Sequence, residues 1–137
     1  MILADTSIWI DHLRSGTPGS RRLGSKNLGS KNNDVRKLLN QGQIVIHPFI
    51  IAELALGSLK QRSRTLALLD LLPQLRVAQL SEVRQMIETR RLYSLGLGLT
   101  DAHLIASVFL SPPTLLWTRD KPLRKAAEAL GIHVGMG

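Results

Sequence analysis

Four acidic residues fall at places in the sequence where a simple solvent-facing role does not account for them. One directly follows an apolar run, one lies inside the most apolar helical stretch, one is in the first turn of a helix, and one follows a strand-like run. They are, in that order, Asp5, Glu53, Asp101 and Asp120. The other six acids have ordinary explanations, as helix starts (Asp34, Glu82) or as water-facing helix residues (Asp11, Asp70, Glu88, Glu128).

These four carboxylates could act together as a site for a hard metal ion. Asp5 and Asp120 follow predicted parallel strands, and open α/β sheets bind ligands beyond the carboxyl ends of their strands. Glu53 and Asp101 lie near helix beginnings, which open toward a sheet edge. Clustered carboxylates repel one another unless a cation lies among them, and an oxygen-only set without His or Cys suits Mg²⁺ or Mn²⁺. For Asp5 or Asp101 taken alone, a helix cap is the competing explanation.

Three hydroxyl side chains are placed to orient these carboxylates. Thr6 and Ser7 directly follow Asp5, and Thr118 comes two residues before Asp120. Hydrogen bonds from such hydroxyls would fix the direction of a carboxylate or of a bound water. Thr6 or Ser7 could also cap the helix that follows.

The elements that must position these residues alternate between short apolar strands and amphipathic helices. Strands are expected at Ile2-Leu3-Ala4, QIVIHP, TLLWT and IHV. Helices are expected after Thr6, after Asp34, over PFIIAELALGSL, over residues 63–72 and 81–95, from Thr100 to before Pro112, and from Pro122 to Leu130 with Gly131 at its end. Because the strand runs are apolar throughout, we expect a parallel sheet covered on both faces, an α/β sandwich forming a single domain over residues 1–137.

Positive charge is concentrated in one segment of the chain. Lys and Arg total 18 against 10 Asp and Glu, a formal net charge of +8. Between Arg14 and Lys37 there are seven cations and one acid, in a Gly-, Ser- and Asn-rich stretch with the near-repeat GSKNLGSKN. We expect a flexible basic insertion at about 15–33, which either grips phosphate or is a solvated loop. The charge favours a polyanionic partner such as nucleic acid, with plain solubility as the alternative.

Several function classes are excluded by composition and pattern. The chain has no cysteine, which removes disulfides, zinc ribbons and thiol catalysis. Its apolar runs are too short to span a bilayer and its N-terminus does not resemble a signal peptide, so we expect a cytoplasmic protein and no membrane partner. His12, His47 and His133 show no metal-ligand spacing, and His103, two residues after Asp101, is expected to be structural.

Four stretches together resemble the PIN-domain family, and within it the VapC-type toxins of bacterial toxin–antitoxin pairs: ILADTSIWIDHLR, HPFIIAELALGS, GLGLTDAHLIAS and LLWTRDKPLRKAAEALGI. The likeness covers nearly the whole chain in order and is weakest around residues 16–33. It places the family's four acidic motifs on Asp5, Glu53, Asp101 and Asp120, and its accompanying hydroxyls on Thr6 and Thr118. The resemblance implies a three-layer α/β/α sandwich around a parallel sheet, divalent-metal-dependent endoribonuclease activity of a toxin, inhibition by a cognate VapB-type antitoxin, and homodimerisation.

The mechanism implied by this resemblance uses the four acids as metal ligands. One or two Mg²⁺ or Mn²⁺ ions would lie between Asp5, Asp101 and Asp120, with Glu53 acting directly or through water. A metal-activated water would attack the RNA phosphorus in line and leave a 3′-hydroxyl and a 5′-phosphate. The side chains expected to hold RNA phosphates are Arg14, Arg119, Lys121 and Arg124, together with Arg21, Arg22, Lys26, Lys31 and Lys125.

Three other functions compete with this interpretation. One is a nuclease of the same fold in RNA processing or repair, without toxicity, and another is a non-catalytic RNA-binding module, which would need no acid cluster. The third is a metal-dependent phosphatase on small substrates, for which the basic segment is unhelpful. A leucine-rich stretch over residues 66–75 could be a dimer face, an antitoxin groove or plain helix packing. The sequence identifies neither the RNA, the antitoxin nor the number of ions.

Overall fold

The computed structural model describes residues 1–15 and 34–136. Residues 16–33, which include most of the predicted basic insertion and its cations Arg21, Arg22, Lys26 and Lys31, lie outside the described residues. The described part is an α/β structure with a three-stranded parallel sheet in the order β2-β1-β3. The strands are β1 (Ile2–Ala4), β2 (Ile44–Val45) and β3 (Leu115–Trp117).

Seven helices are described around this sheet. They are α1 (Thr6–Ser15), α2 (34–40), α3 (Pro48–Ala55), α4 (Arg62–Asp70), α5 (Leu80–Thr89), α6 (Leu99–Leu110) and α7 (Lys121–Ala129). Successive residues Leu3 and Ala4 of the central strand are both completely buried. Since successive side chains of a strand point to opposite faces, helices must cover both faces of the sheet. The predicted α/β sandwich with a parallel sheet is confirmed.

Strand β1 occupies the middle of the sheet and sets the register of its neighbours. Ile2 pairs with Ile44 on one side, and Ala4 pairs with Trp117 on the other. Because all three strands run in the same direction, the residues that follow Ala4 and Trp117 lie together at the edge of the sheet formed by the carboxyl ends of its strands. This is the edge at which Asp5 stands.

The fourth predicted strand, IHV, is reduced to a single parallel bridge between Leu116 and His133. The Leu116 amide donates to Ile132 O at 2.7 Å and the Val134 amide donates to Leu116 O at 3.0 Å, which makes two ladder bonds. Beyond them the chain turns at Gly135, whose φ of +83° leaves the strand conformation. The short strand predicted there is therefore present only as this one-residue bridge.

Helix ends follow the predictions where glycine closes them and depart where it does not. Gly131, with φ +74°, follows α7 as predicted, and the Ile132 amide donates to Ala127 O at 2.9 Å. The predicted helix over 81–95 instead ends at Thr89. Arg91 adopts a φ of +54°, and the Leu92 amide donates to Ile87 O at 2.9 Å, so the same type of closing motif forms on an arginine.

The leucine-rich stretch over residues 66–75 divides between the core and the surface. Leu69 and Leu75 are buried in the main hydrophobic core, whereas Leu68 and Leu71 leave 57% and 80% of their surface exposed. Leu66 and Leu72 are partly buried against the same core, so packing on the core accounts for four of the six leucines in this stretch. Among the helices of the described ranges, none combines the length and hydropathy needed to cross a bilayer.

Candidate functional site

An open cleft of about 230 Å³ at the end of strand β1 collects all four of the predicted carboxylates. Its described lining consists of Asp5, Thr6, Ser7, Glu53, Asp101, Leu104 and Asp120. None of these seven lining residues carries a positive charge. Residues from the β1–α1 turn, α3, α6 and the β3–α7 loop therefore meet around one acidic volume.

Asp5 is the most enclosed of the four carboxylates, with 5% of its surface exposed. Its amide donates to Trp117 O at 3.0 Å, which continues the pairing of β1 with β3. Oδ1 accepts from the Ser7 hydroxyl at 2.5 Å and from the Ile8 amide at 3.2 Å, and Oδ2 accepts from the Thr118 hydroxyl. The bond from Ile8 makes Asp5 the cap of α1, so the prediction that Thr6 or Ser7 would cap this helix is wrong.

Asp101 and Asp120 are also held at the beginnings of their own helices, Asp120 as the residue before its helix and Asp101 as the third residue of its helix. Asp120 precedes α7, and its Oδ2 accepts from the Leu123 amide at 3.1 Å. Asp101 lies in the first turn of α6, and its Oδ2 accepts from the Gly98 amide at 3.1 Å. A helix cap and a place in the cleft are thus compatible, because a cap occupies one carboxylate oxygen and leaves the other for the cleft.

Glu53 reaches the cleft from inside helix α3 and has no capping role there. Its side chain is exposed although the helix buries Ile50 and Leu54 on its other side. Oε1 accepts from the Thr6 hydroxyl at 2.6 Å, which ties α3 to the first turn of α1. All three predicted hydroxyls, including those of Ser7 and Thr118, therefore donate to carboxylates of the cleft.

Two carboxylates of the cleft, those of Asp5 and Asp101, have raised pKa values. Burial raises the pKa of Asp5 above its ordinary value of 3.8, against the opposing effect of its hydrogen bonds. Burial is also the main cause that raises the pKa of Asp101, and the nearby charges of Asp120, Asp5 and Glu53 raise it further. A cation within the cleft would relieve both the mutual repulsion and the cost of burial.

The donor atoms of the cleft fit a hydrated divalent ion. All the polar lining groups are oxygen donors, and Glu53, Asp101 and Asp120 each have one carboxylate oxygen that accepts no described hydrogen bond. Within residues 1–15 and 34–136, no three His, Cys, Asp or Glu side chains converge closely enough to hold an ion by themselves. Mg²⁺ does not need such a group, because it is often bound by one or two carboxylates with several waters completing the coordination.

The cations predicted to hold RNA differ in how they are engaged. Arg14 and Lys121 are exposed, and Lys121 directly follows the cleft-lining Asp120. Arg124 pairs with Glu128 one turn away, at 3.3 Å. Positive charge therefore lies at the beginning of α7, on Lys121 and Arg124, and at the end of α1, on Arg14.

Arg119 is mostly buried and forms an ion pair that the sequence does not reveal. Its Nη1 lies 2.7 Å from Oδ2 of Asp11, and its side chain is 19% exposed. Asp11, which was expected to face water, is half exposed as well as paired with Arg119. The two residues are separated by 108 positions, so no local sequence pattern connects them.

Two further residues complete the surroundings of the cleft. Leu104 is an apolar part of the lining that sequence reasoning missed; its position one helical turn after Asp101 was the available signal. His103 is buried and packs against Phe49, with ring centroids 4.6 Å apart, which is the structural role predicted for it. Both residues lie on α6, the helix whose first turn carries Asp101.

Comparison with known proteins places the whole cleft inside one family match. The PIN domain family model matches residues 2–129, a range that contains all four carboxylates. Two curated relatives, each called Ribonuclease VapC32, come from the CDC 1551 and H37Rv strains of Mycobacterium tuberculosis. Each is 42% identical to this chain over 134 residues, which cover 96% of this chain and 94% of the relative.

Proposed function

Because the chain belongs to the PIN-domain family, we propose that it is a divalent-metal-dependent endoribonuclease and the toxin of a toxin–antitoxin pair. One observation carries this proposal: four carboxylates line a single cleft whose seven described lining residues include no cation. Such a site is costly to build unless it binds positive charge. The 42% identity to proteins called Ribonuclease VapC32 supports RNA as the substrate.

In this proposal Asp5, Asp101, Asp120 and Glu53 hold Mg²⁺ or Mn²⁺ between them. When bound, the ion supplies Lewis-acid activation of water and neutralises charge on the scissile phosphate. Asp5 is immobilised by the hydroxyls of Ser7 and Thr118, while Thr6 fixes the direction of Glu53. These hydrogen bonds present the carboxylates in one arrangement, which lowers the cost of organising the site.

The reaction is the hydrolysis of an RNA phosphodiester bond. The water oxygen forms a bond to phosphorus, the bond between phosphorus and the 3′ oxygen breaks, and a proton ends on that 3′ oxygen. The products carry a 3′-hydroxyl and a 5′-phosphate, and the 2′-hydroxyl takes no part as a nucleophile. We propose that exposed Arg14 and Lys121 contact phosphates of the bound RNA.

The first test is cleavage of total RNA by the purified protein with Mg²⁺, with Mn²⁺ and with a chelator. We expect cleavage only with metal, and loss of cleavage in Asp5→Asn. Asp70→Asn is the matched control, because it makes the same change of charge at an exposed position on α4. Cleavage that persists in chelator, or products ending in a 2′,3′-cyclic phosphate, would contradict the proposal.

The toxin role needs a test of its own. Induced expression in a bacterial host should arrest growth, and Asp101→Asn should abolish the arrest at an equal protein level. A chain that cleaves RNA in solution and leaves growth unaffected would instead be a PIN-fold nuclease of RNA processing. The VapB-type antitoxin, the homodimer and the cytoplasmic location predicted from the sequence stay predictions.

A further inference from the structure

Two successive backbone amides of the β3–α7 loop determine where the hydroxyls beside Asp5 point. The Arg119 amide donates to Oγ of Ser7 at 3.2 Å, and the Asp120 amide donates to Oγ1 of Thr118 at 3.0 Å. A hydroxyl has a single proton, so one that accepts a bond from an amide is free to donate in another direction. Both hydroxyls donate to Asp5, Ser7 to Oδ1 and Thr118 to Oδ2. Each oxygen of this carboxylate is thus held by a hydroxyl that the loop orients.

The loop is fastened to helix α1 through both the backbone and the side chain of Arg119. Its amide contacts Ser7, and its guanidinium contacts Asp11, which lies one turn further along the same face of α1. The guanidinium carbon also lies 5.7 Å from the centre of the Trp117 ring. An exposed ion pair contributes little, but here the arginine is 19% exposed and is restrained on three sides.

We infer that the Asp11–Arg119 ion pair is a positioning element of the site, which clamps the β3–α7 loop against α1 and thereby fixes the Ser7 and Thr118 hydroxyls on Asp5. Neither Asp11 nor Arg119 lines the cleft. The pair acts on the carboxylate through two successive hydrogen bonds, one from a loop amide to a hydroxyl and one from that hydroxyl to Asp5. This inference rests on the proposed function only for its consequence, the affinity of the site for a divalent ion.

Outer groups that orient metal-binding carboxylates commonly contribute 10- to 100-fold to metal affinity. Loss of the clamp should therefore weaken Mn²⁺ binding without removing any group of the cleft. The alternative role of Arg119, direct contact with RNA phosphate, predicts a different pattern. In that case removal of the arginine would weaken RNA binding, and neutralising Asp11 would leave metal binding unchanged.

The test uses two single variants, the double variant that combines them, and one control, all in the full chain. Asp11→Asn removes the charge of the pair and keeps the shape, and Arg119→Met removes the guanidinium and keeps much of the apolar stem. Asp70→Asn changes net charge as Asp11→Asn does, at an exposed site on α4. Circular dichroism and thermal unfolding of each variant establish whether the fold is retained. Because the Asp11 side chain is half exposed, we expect Asp11→Asn to fold, so the inference can be tested even if Arg119→Met does not fold.

The first measurement is amide hydrogen exchange by NMR in the absence of metal, which does not depend on the proposed function. We expect the amides of Arg119 and Asp120 to exchange about fivefold faster in Asp11→Asn, as for the loss of one moderately buried ion pair. The Leu116 amide, in the adjoining strand, should be unchanged. Unchanged exchange at both loop amides in Asp11→Asn would overturn the inference.

The second measurement is the Mn²⁺ dissociation constant by calorimetry, beside RNA cleavage by the unaltered protein. We expect the Mn²⁺ dissociation constant to rise about tenfold in Asp11→Asn and in Arg119→Met. The double variant should show the same tenfold rise and no more, and Asp70→Asn should show none. Equal Mn²⁺ affinity in wild-type and Asp11→Asn proteins would overturn the clamp while wild-type cleavage left the proposed function intact. Failure of the wild-type protein to bind Mn²⁺ would contradict the proposed metal site, and the exchange measurement alone would then decide whether the clamp exists.

Discussion

Thr118 donates its hydroxyl proton to Oδ2 of Asp5 although 113 positions separate the two residues in the sequence. The register of the sheet accounts for this contact. Ala4 pairs with Trp117 across β1 and β3, so the next residue of each strand, Asp5 and Thr118, must also meet. Thr118 is completely buried, and its oxygen also accepts from the Asp120 amide at 3.0 Å. One hydroxyl therefore joins a strand end, a buried carboxylate and the start of α7.

We expect Thr118→Val, which keeps the shape and removes the hydroxyl, to destabilise the protein by about 1–3 kcal/mol. The Asp5 carboxylate would lose a donor in buried surroundings, and the Asp120 amide would lose an acceptor in partly buried ones. Urea unfolding at pH 7 measures the change. Thr118→Ser, which retains the hydroxyl, should lose less. Equal unfolding free energies for the valine variant and the wild type would show that this hydroxyl contributes nothing to stability.

A divalent ion should stabilise the folded protein at neutral pH. Burial raises the folded-state pKa values of Asp5 and Asp101 above 3.8, so their ionised forms cost stability. That cost is absent at pH values below the pKa of the unfolded state. It grows as the pH rises toward the higher pKa of the folded state, and above that pKa it is complete. Mn²⁺ binds the ionised carboxylates and should raise the unfolding free energy by about 2.7 kcal/mol at a free concentration of 100 Kd.

Thermal unfolding with and without Mn²⁺, at pH 7 and pH 4, checks this expectation. The shift should be large at pH 7 and should shrink at pH 4, where protons compete with the ion. Asp5→Asn should lose most of the shift, whereas Asp70→Asn should retain it. A shift of the same size in Asp5→Asn would mean that the ion binds elsewhere.

His47 should make the protein sensitive to acid independently of the cleft. Its Nδ1 accepts from the Phe49 amide at 2.9 Å, so Nε2 carries the proton and lies 3.0 Å from the Ser107 hydroxyl, which donates to Arg76 O at 2.7 Å. Burial, with a further contribution from His103, lowers the pKa of His47 from 6.5 to about 4. Its stabilising contribution is complete above pH 6.5 and is lost as the pH falls toward 4, a change of roughly 3 kcal/mol.

Unfolding free energies measured from pH 7 to pH 4 in wild type and His47→Asn isolate this effect. Asparagine can still cap α3 but does not titrate, so the variant should lose less stability with falling pH than the wild type. Asp5 and Asp101 have the opposite pH dependence in both proteins, and it cancels in the difference. His133→Asn, near the end of the described chain, serves as a control, and parallel curves for wild type and His47→Asn would contradict the assignment.

Lys121 should contribute to RNA affinity through charge alone. RNA binding, measured with the cleavage-deficient Asp101→Asn protein, should weaken linearly in log–log form as salt increases. Adding Lys121→Gln should lower the magnitude of the slope by about 0.7 and weaken all RNA sequences alike. Lys60→Gln, an exposed lysine between α3 and α4, should leave the slope unchanged. A slope unaffected by Lys121→Gln would place this side chain outside the RNA contact.

Local patterns predicted those parts of the fold that local physics determines. The apolar run Ile2-Leu3-Ala4 indicates a strand buried on both faces, and Gly131 ends α7 because a left-handed residue is needed there. The end of α5 was not predictable in this way, because the left-handed position is occupied by Arg91 and no glycine marks it. Packing of Leu92 into the core, which no local pattern shows, accompanies that turn.

The sequence was sufficient to predict which residues form the candidate site, but not the tertiary contacts that hold them in place. Each acid stood out by its neighbours in the sequence. For Asp5 and Asp101 the sequence offered helix capping and a role in the cleft as alternatives, and the structure shows that each residue does both. The pairing of Asp11 with Arg119 depends on how α1 meets the β3–α7 loop. Contacts between distant segments of this kind follow from tertiary structure alone.

The capping bonds of the cleft bear on how related sequences are to be interpreted. Asp5, Asp101 and Asp120 each stabilise the start of a helix, so a descendant that abandoned RNA cleavage would still gain from retaining them. Glu53 lies within α3 and supports no helix end. Under the proposed function, helix capping gives selection a second reason to keep the three aspartates, whereas Glu53 caps no helix and is held by the bond from Thr6. Substitution at position 53 would thus be the earliest sequence mark of a relative that has become inactive.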